Sequence, residues 1–336
     1  MLDAARVEMD MPGVRAALRY PDGRIVLASV GLADQGKEIP LDNTLVMPGG
    51  STGKTFVATL AMLLVEEGVL SLDDLISRWL ADESWFRSLP NAESIRVRHL
   101  LSHSAGLHDY PGSPGFLAKM VWRVIWQGSA YFEPDELIGF TLNKKPLFPA
   151  GEGFSYTDIG YLVLGKVIES VSGREYYDLL AERILQPLDL MAITPQNRSV
   201  ISGMPPGYQN GVSNLREDGR MKLDPRSEWT GGGLVTTPAL LVRFLSALAE
   251  GGVVSDSSLT AMLQGEWRDP DLPWHYGYGL FVRSGQRIEH GGLWPGYRTH
   301  MAHFMQSGVT IAVQTNRDGD LDLQSLVNAI ERAAGE

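Results

Sequence analysis

The stretch MPGGSTGKTF, residues 47–56, holds the most suggestive chemical spacing in the chain. Ser51 and Lys54 stand three apart where a glycine turn runs into an apolar, helix-prone segment, and residues three apart on a helix share a face. A serine hydroxyl is a weak nucleophile until a base takes its proton, and a lysine held partly away from water can be that base. The positive end of the helix dipole would favour a developing alkoxide at Ser51. Gly53-Lys54-Thr55 also resembles a phosphate-binding loop. Such a loop needs a glycine five positions before Gly53, and Pro48 stands there with no N–H and a fixed φ. No apolar strand ending in a magnesium-holding aspartate accompanies it, so the nucleotide reading fails. On the tetrapeptide alone, a helix cap beside a solvated lysine is the favoured explanation of the pair.

The elements that must position this pair can be read outward from it. Residues 13–33 predict a β-hairpin around Pro21-Asp22-Gly23. A helix follows from about Ser51 to Glu67, with Gly68 as its stop, and Ser71 is expected to cap a second helix carrying Asp73 and Asp74 in its first turn. From there to about residue 230 the pattern reads as mostly helical, with segments 160–173 and 174–185 as examples, and a further helix is expected over 238–252. The last third turns strand-like in YGYGLFVRSG, QRIEHGG, YRTHMAHFMQSG and VTIAVQTN, before an amphipathic helix over 323–333. The expected fold is α/β, an antiparallel sheet flanked by helices and built from both termini. Residues 1–60 and 230–336 would form it, with a mainly helical lobe of residues 61–229 inserted and the active site in the cleft between.

Composition bounds the chemistry. The chain has 336 residues, 44% hydrophobic and 21% charged, which suits a folded core. A formal charge of −11 disfavours nucleic acid and anionic lipid as partners. The absence of cysteine removes disulfides, thiolate metal sites and cysteine nucleophiles. The longest apolar run, FVATLAMLLV (56–65), is too short to span a bilayer. The first ten residues carry Asp3, Arg6, Glu8 and Asp10 and do not read as a secretion signal. The expected compartment is cytoplasmic for a full-length chain, or an exported one if a leader has been removed. No cofactor or metal is expected, because no histidine–carboxylate spacing reads as a metal site.

Four segments in order give the Ser-Lys pair its context. LVMPGGSTGKTFVATLAMLLVEEGVLSLDD, IRVRHLLSHSAGL, PLFPAGEGFSYTDIGYLVLGKVIE and IEHGGLWPGYRT together resemble the serine β-lactamase/penicillin-recognising hydrolases. The likeness is to the branch of class C β-lactamases, D-alanyl-D-alanine carboxypeptidases, D-aminopeptidases and family VIII esterases, and runs over nearly the whole chain. It implies a β-lactamase/transpeptidase-like fold and a serine hydrolase acting through an acyl-enzyme on an ester, D-amino-acid amide, D-peptide or β-lactam-like bond. The implied partner is a small molecule or short peptide. A penicillin-binding-like ligand sensor with weak catalysis is the alternative.

The resemblance also implies residue roles. Ser51 is the nucleophile, Lys54 its proton acceptor or tuning group, and Tyr156 a second proton carrier, which acts as a base only if Lys54 favours its phenolate. Which of the two takes the first proton stays open. Asp158 departs from the usual asparagine; an ionised carboxylate only accepts hydrogen bonds, so it would pair with Lys54 or with a positive group on the substrate. His290, Gly291 and Gly292 match the strand of the opposite wall, with glycine letting substrate backbone lie close. The N–H groups of Ser51 and Leu293 would form the oxyanion hole, at about 3 kcal/mol per donor in other hydrolases. Trp274, Tyr276, Tyr278 and Trp294 could wall an acyl pocket, and Arg298 could meet a substrate carboxylate. His99, His103, His108, His275, His300 and His303 read as structural or surface residues.

Overall fold

The computed structural model describes residues 1–283 and 286–335. Ser284 and Gly285, which end the predicted run YGYGLFVRSG, lie outside the described residues. The strands are β1 (Gly13–Arg19), β2 (Ile25–Asp34), β3 (Ile39–Pro40), β4 (Met47–Pro48), β5 (Thr194–Pro195), β6 (Tyr208–Gln209), β7 (Val212–Ser213), β8 (Leu234–Thr236), β9 (Trp274–Tyr276), β10 (Phe281–Arg283), β11 (Arg287–Trp294), β12 (Tyr297–Phe304) and β13 (Thr310–Thr315). The helices are α1 (Leu2–Glu8), α2 (Gly53–Glu66), α3 (Ser77–Leu80), α4 (Val97–Leu101), α5 (Pro114–Gln127), α6 (Pro134–Ile138), α7 (Asp158–Ser172), α8 (Tyr176–Leu180), α9 (Pro238–Ala249), α10 (Asp256–Gln264) and α11 (Leu323–Ala334).

The main sheet runs in the order β3-β2-β1-β13-β12-β11-β10-β9, with antiparallel neighbours throughout. Its two halves come from opposite ends of the chain and join at β1 and β13, where Val14 faces Thr315 and Arg19 faces Thr310. The β1–β2 hairpin closes where predicted, with Gly23 at φ 88°. All six residues of β13 are buried, as expected of a strand covered on both faces. Helix α9 packs on one face of β1, β13 and β12, while α1 and α11 cover the other. The run YGYGLFVRSG is two strands rather than one. β9 ends at Tyr276, and Gly279 turns at φ 77° with its Cα against α2; a Cβ there would sit 2.3 Å from that of Ala58.

Helix α2 is apolar nearly all round and buried from Gly53 to Met62, the pattern of a central rather than a surface helix. The largest core cluster runs from Ala17, Met301 and Ala312 in the sheet through α2 to Ile159–Leu164 of α7. One continuous core therefore spans both the sheet and the helices. Helix α7 starts with Thr157 as N-cap, its hydroxyl accepting from Ile159 N, and stops at Gly173 in the left-handed region. This cap puts Asp158 on the first helical position.

Two expectations fail. Ser71 does not cap a helix: its hydroxyl and Asp74 close a local turn, and Ile76 N bonds Ile95 O beside a Leu75–Arg96 bridge. Serine and aspartate side chains here satisfy the backbone locally in place of helical bonds, and α3 begins only at Ser77. Residues 186–230 are also not mostly helical. They form turns, the short strands β5, β6 and β7, and isolated 3-10 turns. Pro195, Pro205 and Pro206, with Gly203, Gly207, Gly211 and Gly219, interrupt any helical register there.

Candidate active site

Strand β4 pairs with β8, Met47 opposite Thr236, and delivers the chain to a 3-10 turn over Gly50–Thr52 that leads into α2. Ser51 thus sits one turn ahead of the α-helix proper. Gly50 has φ 56°, and a Cβ on it would lie 2.5 Å from Leu293 N. A Cβ on Gly292 would lie 1.9 Å from Gly49 O. The nucleophile turn and β11 therefore touch backbone to backbone, and glycine at both positions permits it. The space spared at Gly292 is filled by the Gly49 carbonyl, not left for a substrate as the sequence reading expected.

Lys54 is fully buried. Its ammonium donates to Ser51 Oγ at 3.1 Å, Asp158 Oδ1 at 2.5 Å and the Gly231 carbonyl at 2.5 Å. These three acceptors saturate its donors. Burial pushes the ammonium toward losing its proton, but the charges of Asp158, Tyr156 and Glu228, with the Asp158 hydrogen bond, outweigh burial and hold its pKa above the ordinary value. Lys54 is a charged donor at rest.

Two more acids surround this pair. Asp109 Oδ1 accepts the N–H groups of Asp158 at 3.1 Å and Tyr110 at 3.0 Å. Burial, then the Asp158 charge, raises its carboxyl to about 6. Glu228 is bonded by the Gln196 amide, and burial raises it to about 8 against the pull of Lys54.

Tyr156 stands among rings, with centroids 4.1 Å from His103, 5.8 Å from Tyr276 and 6.3 Å from Phe281. Lys54 Nζ lies 5.1 Å from its ring centroid. Its hydroxyl is buried and makes no hydrogen bond of good geometry, although Ser51 and Lys54 are its polar neighbours and both favour the phenolate. Burial nonetheless dominates, and with Asp158 it raises the phenol above its usual value. The phenolate that Lys54 would favour is opposed first by burial of the phenol and then by the Asp158 charge.

On the facing wall, His290 is buried between the Gly291 carbonyl, 2.6 Å from Nδ1, and the Tyr276 hydroxyl, 3.0 Å from Nε2. A carbonyl only accepts, so Nδ1 carries the proton and Nε2 accepts from Tyr276. Burial lowers this ring to about 3, and Lys54 adds to the effect. His290 is therefore neutral and offers a substrate anion no charge. Arg298 lines the same cleft and donates to the Gly319 carbonyl at 2.6 and 3.1 Å.

The cleft, about 300 Å³, is lined by Ser51, Tyr156, Phe281, His290, Gly291, Gly292, Leu293 and Arg298. A larger surface cleft of about 850 Å³ lies between residues 33–37 and 203–219, but neither Ser51 nor Tyr156 lines it, so the chemistry and not the size locates the site. Ser51, Lys54, Tyr156 and Asp158 come together on one side, and residues 290–293 form the other. None of Trp274, Tyr276, Tyr278 and Trp294 lines the cleft, where Tyr156 and Phe281 supply the aromatic surface. Trp294 instead donates to Met221 Sδ, and Tyr278 to Glu266. Asp109, Glu228 and His103 were missed as members of the site; only the SHSAGLHDY context of the first and last, and the three glycines after Glu228, marked their neighbourhoods.

A sheet assembled from both termini, a buried helix opening on Ser-x-x-Lys, and a β-strand abutting that turn define the β-lactamase/transpeptidase-like class. The chain belongs to the Beta-lactamase family, whose pattern matches residues 2–335. It is similar to a D-stereospecific amidohydrolase from Streptomyces sp., 26% identical with a TM-score of 0.84 over 98% of this chain and 96% of that one. D-amino acid amidase from Ochrobactrum anthropi SV3 is 25% identical, with a TM-score of 0.80 over 99% and 98% of the two chains. Penicillin-binding protein 4* of Bacillus subtilis (strain 168) is 26% identical over 321 residues, 90% of this chain and 68% of the relative. No helix among the described residues is long and apolar enough to cross a membrane.

Proposed function

We propose that the protein hydrolyses small amides and esters through an acyl-enzyme on Ser51, with amides of D-amino acids as the leading substrate class. Ser51 Oγ attacks the carbonyl carbon, and the N–H groups of Ser51 and Leu293 receive the oxyanion. Lys54 and Tyr156 carry the serine proton to the leaving group, with the neutral phenol acting as the acid. Water then releases the acyl group. The carrying observation is the convergence of Ser51 Oγ, Lys54 Nζ and the buried Tyr156 phenol beside Gly292 and Leu293. The names of the amidohydrolase and amidase relatives support the amide class. The neutral His290 speaks against substrates that need a cation at that position, which weighs against β-lactams and carboxyl-terminal D,D-peptides.

The test is a panel of D- and L-phenylalanine amide, p-nitrophenyl acetate and butyrate, and a chromogenic cephalosporin, compared by kcat/KM. Turnover of D-amide and ester above L-amide and cephalosporin supports the reading. Cephalosporin as the best substrate, or binding without turnover of any of them, refutes it.

A further inference from the structure

At rest the groups around Ser51 present no obvious base. Lys54 has all three N–H groups donated, so as an ammonium it has no lone pair for the serine proton. Tyr156 is a phenol, and its hydroxyl has no acceptor to which a second proton could pass. The one basic nitrogen of His290 is occupied by Tyr276. His103 accepts Thr157 N–H at Nδ1, and its other nitrogen is buried without a partner. Of the carboxyls nearby, Asp158 is the one bonded directly to Lys54: its Oδ1 lies 2.5 Å from the same Nζ that lies 3.1 Å from Ser51 Oγ. The Asp158 side chain is 24% exposed against 0% for Lys54, so the carboxylate reaches solvent while Lys54 does not.

We propose that Asp158 is the terminal acceptor of the Ser51 proton, with Lys54 as the carrier between them. This rests on the reading of Ser51 as nucleophile and deepens it. The step is balanced as follows. Lys54 gives one proton to Asp158 Oδ1, breaking an N–H bond and forming an O–H bond. The freed nitrogen lone pair takes the proton of Ser51 as Oγ bonds to the substrate carbonyl carbon, and the carbonyl π pair moves to the oxyanion. Lys54 is again an ammonium and Asp158 a carboxylic acid. When the leaving group departs, Tyr156 protonates it, Lys54 reprotonates Tyr156, and Asp158 returns its proton to Lys54. An asparagine amide at position 158 could hold Lys54 in place but could not take this proton.

The charged and titratable groups facing the relay come from four directions. Tyr161 belongs to α7 beside Asp158, Asp109 and His103 to the loop after α4, Glu228 to the 3-10 turns before β8, and His290 and Tyr276 to the sheet. Of these, Asp109 and Glu228 are the carboxyls that could stand in for Asp158. Asp158 acts on the substrate through Lys54 and is thus a positioning and proton-holding residue, so its test needs a readout that mere support of the fold would leave alone.

The experiment is the pH dependence and proton inventory of Ser51 phosphonylation by a fluorophosphonate in wild type, Asp158→Asn and the double variant Asp158→Asn/Glu228→Gln. With Asp158 as acceptor, Asp158→Asn slows labelling about 10²–10⁴-fold at neutral pH. Its acid limb moves to higher pH by about one unit or more, since Lys54 must then lose its own proton to bulk water. The wild-type inventory is curved, with two protons in flight, and that of Asp158→Asn is linear. The double variant repeats the single one. An Asp158→Asn profile that coincides with wild type overturns the proposal, and if the double variant then loses activity the acceptor is Glu228. A uniform slowing with no shift of the limb and a curved inventory also overturns it, leaving Asp158 a structural support. No labelling of wild type at any pH removes the nucleophile and the relay together, whereas normal labelling with an unmoved Asp158→Asn limb removes the relay alone.

Discussion

Replacing Gly50 by alanine probes the backbone contact that builds the proposed oxyanion site. Gly50 has φ 56°, and its added Cβ would meet Leu293 N at 2.5 Å and Leu293 C and O at 2.8 Å. An L-residue in the left-handed region costs roughly 1–2 kcal/mol by itself. The clash adds to this: an ordinary contact begins near 3.4 Å, so the turn and β11 must part by roughly 1 Å, a displacement that can cost about 10²-fold in rate. Losing one oxyanion donor costs about 10²–10³-fold. The expected result is Ser51 phosphonylation slowed by about 10²–10³-fold, with unfolding stability reduced by roughly 1–3 kcal/mol. Gly23→Ala is the control, because Gly23 has φ 88° with nothing within 4 Å of the added Cβ; it should lose comparable backbone stability and keep the labelling rate. The two variants are compared by stopped-time labelling and by urea denaturation. Equal labelling rates would refute the argument that Gly50 exists to bring Ser51 against Leu293.

Other outcomes follow from the same geometry. Tyr156→Phe should lower amide turnover about 10²–10⁴-fold but p-nitrophenyl ester turnover far less, because nitrophenolate leaves without a proton; equal losses on both would remove Tyr156 as leaving-group acid. Lys54→Met should abolish labelling within detection and destabilise the fold by roughly 3–5 kcal/mol, since it leaves Asp158 without its partner in a mostly buried site; urea denaturation at pH 7 measures the second effect. His290 makes stability pH-dependent in a definite direction. The unfolded ring takes up a proton as pH falls through 6.5, whereas the native ring refuses it until about 3, so stability is intact above 6.5 and is lost progressively between those values. The slope contributed is about 1.4 kcal/mol per pH unit, and His290→Gln should lose correspondingly less stability between pH 7 and pH 4.5; an identical loss would mean that the native ring takes up its proton in the same pH range as the unfolded one.

Local pattern carried much of the fold because hairpin turns, caps and strand alternation are short-range. Pro21-Asp22-Gly23, Thr157 ahead of α7 and Gly173 behind it all act within a few residues. Failure came where backbone groups had long-range partners: 71–76 is held by 95–97, and 186–230 by pairings such as Pro195 with Leu234. The site shows the same division. Ser51 and Lys54 were legible from spacing, and Tyr156 and residues 290–293 from the order of their motifs. The protonation states were not, because they depend on Asp109, Glu228 and Asp158 meeting one buried ammonium from three separate segments. Nor was the aromatic wall legible. Trp274, Tyr278 and Phe281 are aromatic residues of one short segment, and the turn at Gly279 separates Phe281, which lines the cleft, from the other two.

The central claim, that Ser51 is the group made nucleophilic, is tested most directly by intact-mass and peptide-mapping spectrometry after fluorophosphonate treatment of wild type and Ser51→Ala. One phosphonyl group on the peptide containing Ser51, and none on a folded Ser51→Ala, is the predicted result. A label on another residue, or equal labelling of Ser51→Ala, would contradict it.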